Sequence, residues 1–278
     1  MPSNNSPWFK RHSLILYFII AFAFSWTIYL SLVAIKYGWT DAPIPYSLHY
    51  LASFGPTLAA LIVTALTAGK EGLRELWSRM IKWRVRWGYA VFAVFSPIVF
   101  FILAALIIRI IKGEWLDVRL LGQANYMPYL GWGVLPLWLI TFGFGEEIGW
   151  RGFALPRLQK TMSVQRATLT LALIWSLWHM PAFFYLDTIE NLGGLMIIPG
   201  FMIGVLFGAV LLTWLYNGTG GSILMVAVWH ALFDLVTASE AGQDIVPILT
   251  TVGVIVWALY VANIEKPWGF RFQERHTL

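Results

Sequence analysis

From Ser13 to Ile35 the chain runs 23 residues without a charged side chain. As a helix that is enough to cross about 30 Å of hydrocarbon, which takes roughly 20 residues at ~1.5 Å each. Further apolar stretches follow at about 47–68, 87–108, 129–150, 167–186, 195–216, 223–238 and 245–263. Lipid offers no hydrogen bonds, so runs of this length must satisfy their own backbone and fold as helices. The expectation is an all-α, polytopic membrane protein: one integral membrane domain over 1–278 with about eight transmembrane helices. Composition agrees, since 12% of residues are charged where a soluble domain carries about 25%.

The first apolar run exceeds the roughly 7 to 15 residues usual in a signal peptide, so it is expected to remain in the mature protein. There is no cysteine, which excludes intrachain disulfides, thiol catalysis and thiolate metal ligands. A net charge of +5 would admit nucleic acid, but the hydrophobic runs spare no basic face; the charge is read as loop charge facing anionic lipid. Gly55-Pro56 falls inside the second stretch and needs neighbouring helices to satisfy the carbonyls it frees. Residues 69–86 alternate six Lys/Arg with Leu73, Leu76, Trp77, Met80 and Ile81. That pattern predicts a short amphipathic helix in the headgroups, anchored by Trp77, Trp83 and Trp87. With the N-terminus, 69–86, 151–166 and the tail on one side, that side holds 15 of the 19 Lys/Arg. The positive-inside rule then places both termini in the cytoplasm of a multi-pass cell (inner) membrane protein.

Setting loop charges aside leaves Glu146, Glu147, Arg151, His179, His230 and Asp234 within or beside the spans. Two readings fit the Glu pair. It lies in the headgroup zone where a helix leaves the membrane, or it forms a functional site, because ionised groups in hydrocarbon cost roughly 2.5 to 3.5 kcal/mol and need partners. Helical spacing puts Glu147 on a face with Arg151, and His230 on a face with Asp234, while Glu146 points elsewhere. Two adjacent acids in unlike surroundings can serve as one structural anion and one base. Counted from the cytoplasmic ends, His230 would lie roughly 12 Å deep, and His179 and Asp234 roughly 18 Å. The groups could thus converge on a cavity open to the cytoplasm, where a carboxylate beside an imidazole suits activation of water.

Taken in order, Glu146-Glu147-x-x-x-Arg151, an aromatic-x-x-x-His ending at His179, and His230-x-x-x-Asp234 resemble the CAAX protease and bacteriocin-processing family of intramembrane proteases. That family includes the type II CAAX prenyl endopeptidases, and the likeness covers about residues 47–240. It implies an eight-helix core with a polar chamber open to the cytosol, and an endopeptidase acting on a peptide or protein substrate, in some members lipidated. Carried over, Glu146 would activate the water with His179 sharing the proton transfer, and Glu147 with Arg151 would hold the motif's geometry. His230 and Asp234 would polarise the scissile carbonyl and stabilise the oxyanion. Trp175 stands where Phe is more usual, a change expected to affect packing alone. Asp234 replaces the Asn of the prenyl endopeptidases; an ionised Asp cannot donate to an oxyanion, so it must be protonated or must orient His230.

Glu and His could form a zinc site by ligand type, with Glu146, His179 and His230 as its ligands. No His-Glu-x-x-His motif is present, and a tightly bound metal is not expected. Two further functions stay open: a catalytically silent immunity or partner-binding membrane protein, and a proton-coupled transporter, since buried acids and histidines also mark proton relays.

Overall fold

The computed structural model describes residues 7–124, 130–186, 194–242 and 245–264. The expected start of the fourth span at Tyr129 and the tail cations Lys266, Arg271 and Arg275 lie outside them. Every regular element among the described residues is helical. The principal helices are α1 (Ser13–Lys36), α2 (Gly55–Met80), α3 (Trp87–Lys112), α5 (Val164–Trp178), α6 (Ile198–Gly218), α7 (Ile223–Thr237) and α8 (Val246–Ile264). Between α3 and α5, α4 is a composite that begins at Val134–Trp138 and ends at Leu155–Thr161, with Gly145–Gly149 as its central α-helical turn. Among the described residues six helical segments are long and apolar enough to cross a membrane: Ser13–Lys36, Tyr46–Met80, Trp87–Lys112, Val164–Phe184, Leu195–Gly218 and Val246–Ile264. The protein is thus a polytopic α-helical membrane protein.

α4 is the axis of the fold. Every residue from Gly145 to Pro156 is buried, and a helix covered on all sides is enclosed by other helices. α2 and α7 pack directly against it, α1 packs on α2, and α6 packs on α5 and α8. Glycine makes the approach close enough. A Cβ at Gly149 would stand 2.6 Å from the Pro56 carbonyl carbon and 2.5 Å from the Tyr17 hydroxyl, and one at Gly143 would stand 2.7 Å from the Ala227 carbonyl oxygen. Small residues at such crossings let backbones meet without an intervening side chain. Around Gly149 an aromatic layer closes the gap: the ring of Tyr17 stacks on Phe153 at 4.8 Å, and Trp150 meets Trp178 edge-on at 5.9 Å.

Two local expectations are revised. Gly55-Pro56 does not interrupt a helix; it starts one, with Pro56 in the first turn, where its missing N–H costs no intrahelical bond. The preceding turn His49–Ala52 leaves carbonyls that hydroxyls satisfy: Ser53 donates to the Tyr50 oxygen and Ser25 of α1 donates to the Ala52 oxygen, both at 2.7 Å. The amphipathic 69–86 segment, expected as a separate helix, continues α2 through a kink at Gly69, whose φ of 60° and ψ of −151° glycine alone adopts readily. Trp77 on this arm, Trp83 beyond its end and Trp87 at the start of α3 are exposed, as headgroup anchors should be. Arg79, expected to face lipid, turns inward. It is 5% exposed, and it donates to the Gly152 carbonyl at 2.9 Å, the Tyr216 hydroxyl at 2.6 Å and Glu75 at 2.7 Å. Lys82 follows it, donating to the Gly220 carbonyl at 2.7 Å. Partial burial and then the neighbouring Arg79 charge hold the Lys82 ammonium below its ordinary value.

Candidate active site

The site begins with two departures from regular α-helix in α4. π turns at Leu139–Phe144 and Trp150–Ala154 flank the Glu pair. Each lets one residue bulge from the ladder, a distortion that recurs at functional sites because it re-aims the side chains around it. The short α-helical turn between them, Gly145–Gly149, carries both acids.

Glu147 is fully buried. Its Oε1 accepts from Arg151 Nη1 at 2.7 Å, the i,i+4 pairing that the spacing predicts, and from His230 Nδ1 of α7 at 2.8 Å. One carboxylate oxygen thus ties α4 to α7. Removing a single member of such a buried charged set leaves another uncompensated, at a cost of about 3–5 kcal/mol.

Glu146, one residue earlier, is surrounded differently. Its Oε2 accepts the indole N–H of Trp175 from α5 at 2.8 Å, and the described contacts give its Oε1 no partner. The carboxylate is 3% exposed. The Arg151 guanidinium that pairs with Glu147 lies over the Trp175 ring, 4.3 Å from its centroid. The same ring has the His179 imidazole at 5.5 Å and the His230 imidazole at 5.6 Å. Residues from α4, α5 and α7 therefore meet around one indole.

His179 caps the C-terminus of α5, half-buried. Its Nδ1 lies 2.8 Å from the Trp175 carbonyl oxygen. A carbonyl only accepts, so Nδ1 carries the proton there and Nε2 of the neutral ring keeps its lone pair. Trp178 and Phe201 hold the ring edge-on at 4.8 and 5.3 Å. On α7, His230 Nε2 stands 3.7 Å from Asp234 Oδ2, the weaker of its two carboxylate contacts, and Asp234 is half-buried. All six residues singled out from the sequence belong to this cluster.

One participant, Trp175, escapes the sequence reading, and a half-buried histidine, His49, goes unnoticed too. Trp175 was expected to matter for packing alone; it binds Glu146 directly, and the signal was available, because a buried indole N–H needs an acceptor. His49, near the start of the second apolar stretch, has its Nδ1 2.6 Å from the Tyr185 hydroxyl and its ring 5.6 Å from Phe142. One histidine among aromatic residues carries no signal beyond its scarcity.

As a metal centre the set fits poorly. Among the described residues no three His, Asp or Glu side chains converge as a ligand group. His230 Nδ1 and Glu146 Oε2 are engaged by Glu147 and Trp175.

Comparison with known proteins agrees with the resemblance in the motifs. The family model for type II CAAX prenyl endopeptidase Rce1-like proteins matches residues 127–236, the stretch that holds all six site residues. The chain is also similar to CAAX prenyl protease 2 of Methanococcus maripaludis, 23% identical over 231 residues, which cover 79% of this chain and 82% of the relative.

Proposed function

We propose that this chain, similar to type II CAAX prenyl endopeptidases, is an intramembrane endopeptidase that hydrolyses a peptide bond near the cytoplasmic membrane face with a water activated by Glu146. The observation that carries this reading is the unequal treatment of two adjacent acids. Glu147 is committed to Arg151 and His230, whereas Glu146 holds one neutral donor and has Oε1 left over. Glu147 also has an oxygen without a partner, Oε2, but it is sealed in the interior on a carboxylate already held by Arg151 and His230, so Glu146, whose one donor is neutral, is the acid left to take a proton.

In this mechanism a water donates its proton to Glu146 Oε1 as its oxygen adds to the scissile carbonyl carbon. His179, oriented by the Trp175 carbonyl, offers Nε2 as the neighbouring acceptor that shares this transfer. The carbonyl electrons move onto oxygen. His230, held at Nδ1 by Glu147, has a second N–H at Nε2 in its imidazolium form to give that oxyanion, and Asp234 orients it. The tetrahedral carbon then expels the amide nitrogen, which takes the proton from Glu146; a carboxylic acid and an amine leave, and Glu146 is again a carboxylate. General-base assistance of this kind is worth about 10²- to 10⁴-fold, and a preorganised oxyanion donor about 10²- to 10³-fold.

The substrate class is a peptide or protein presented at the bilayer. The name of the Methanococcus relative, a CAAX prenyl protease, points to a prenylated one. The Lys/Arg distribution supports cytoplasmic termini and a cytoplasmic opening for the site.

The deciding experiment reconstitutes the protein in liposomes with a farnesylated peptide. The wild type is expected to cleave it, and Glu146→Gln is expected to lose about 10²-fold or more while keeping its melting midpoint. Undiminished cleavage by Glu146→Gln would end the reading. Protection of host cells by an inactive variant would move the assignment to an immunity or partner-binding role.

A further inference from the structure

We infer that Trp175 is a positioning residue for the proposed hydrolysis: its indole N–H fixes the Glu146 carboxylate so that Oε1, and not Oε2, meets the attacking water. The inference rests on the reading of Glu146 as the base, and its evidence is separate geometry. Trp175 is 6% exposed, and its Nε1–H, which can only donate, reaches Glu146 Oε2 at 2.8 Å across 29 residues of sequence.

A neutral donor suits this place. A Lys or Arg against Glu146 would bind the carboxylate as an ion pair and compete with the proton it must accept. The indole holds one oxygen and gives up no proton of its own, so the lone pairs of the other stay available. The ring does more than supply the donor. Arg151 sits over its face at 4.3 Å while gripping Glu147 at 2.7 Å, so the structural acid and the reactive acid are linked through guanidinium and indole. The backbone carbonyl of the same residue fixes the His179 ring. Trp175 thereby sets the position of both groups assigned to proton transfer.

The test removes the N–H and little else. 3-Benzothienylalanine at position 175 replaces the N–H by sulfur within a ring of nearly the same shape and leaves the guanidinium stack in place; Trp175→Phe is the coarser companion. With the farnesylated peptide in liposomes, the benzothienyl protein is expected to show kcat lower by about 10- to 100-fold, KM within about twofold and an unchanged melting midpoint. A purely structural tryptophan would instead move the midpoint and spare kcat. Wild-type kcat in the benzothienyl protein overturns the inference, even where Glu146→Gln is inactive. Full activity in Glu146→Gln overturns the parent reading as well.

A second readout needs no turnover. In ¹⁵N-labelled protein the Trp175 indole resonance, identified by its loss in Trp175→Phe, is expected to shift on Glu146→Gln. An unmoved resonance overturns the contact itself.

Discussion

α3 and α4 put the same kind of apolar sequence to opposite uses. Over its 26 residues α3 buries only Ala93, Ser96, Pro97, Phe101, Ala104 and Ile108, while Val91, Phe95, Ile102 and Leu103 face outward. α4 buries twelve residues in succession, two carboxylates and a guanidinium among them. Of the principal helices, α4 and α7 supply the charged site residues, and those two are not among the six segments that satisfy the length and apolarity needed to cross a membrane. The difference teaches a division of labour. Long apolar helices form the wall that meets lipid, which frees two shorter or distorted helices to carry charge inside it, where partners replace water.

The sharpest way to break this contrast is to remove the partner of the most enclosed acid. Arg151→Met keeps most of the side-chain volume and leaves Glu147 with His230 alone; it is expected to destabilise the protein by about 3–5 kcal/mol, measured as a lowered unfolding midpoint in detergent. An unchanged midpoint would mean that α4 tolerates unpaired charge as a soluble surface does.

A smaller effect is expected from backbone approach. Gly149→Ala must push against Pro56 and Tyr17 and is expected to cost about 1–3 kcal/mol. Gly200→Ala in the first turn of α6 meets nothing within 4 Å and is expected to be neutral or stabilising by up to about 1 kcal/mol. Equal effects at the two glycines would contradict the enclosed position of α4.

The smallest effect belongs outside the spans. Arg119 donates to Asp117 at 2.7–3.2 Å from an exposed loop and holds that carboxyl at about 2, below the ordinary 3.8. A lowered carboxyl contributes stability that is fully present above its unfolded value and is lost as pH falls through about 2. Arg119→Ala should therefore unfold like the wild type, with the same small offset at every pH from 5 to 9. An offset that varies across that window would assign the pair a partner beyond the loop.

What the sequence discloses is whatever repeats within one helix. The charge-free run at Ser13–Ile35 predicts a lipid-length helix, and the four-residue spacing of Glu147 and Arg151 predicts their contact. Longer-range facts have no such period. Arg79 reaches Tyr216 across 137 residues and Trp175 reaches Glu146 across 29, so nothing in the local pattern marks Arg79 as inward-facing or names Glu146 as the acceptor that the Trp175 indole needs. The π turns are equally silent. They lie beside Gly143 and Gly149, where α4 passes in close backbone contact with helices distant in the chain. Gly69 shows a different failure: a glycine between an apolar and a basic amphipathic stretch reads as a boundary, yet the helix bends there and continues.

Arg79 holds the carbonyl of Gly152, the hydroxyl of Tyr216 and its own preceding turn together. The basic arm of α2, the end of α4 and α6 are consequently released as a group or not at all. An amphiphile that strips the tryptophan-anchored arm from its resting place would also withdraw a hydrogen bond from the backbone one residue beyond Arg151. The lipid or detergent chosen for an assay is then a reagent in the measurement, with a direct line to the chemistry it reports.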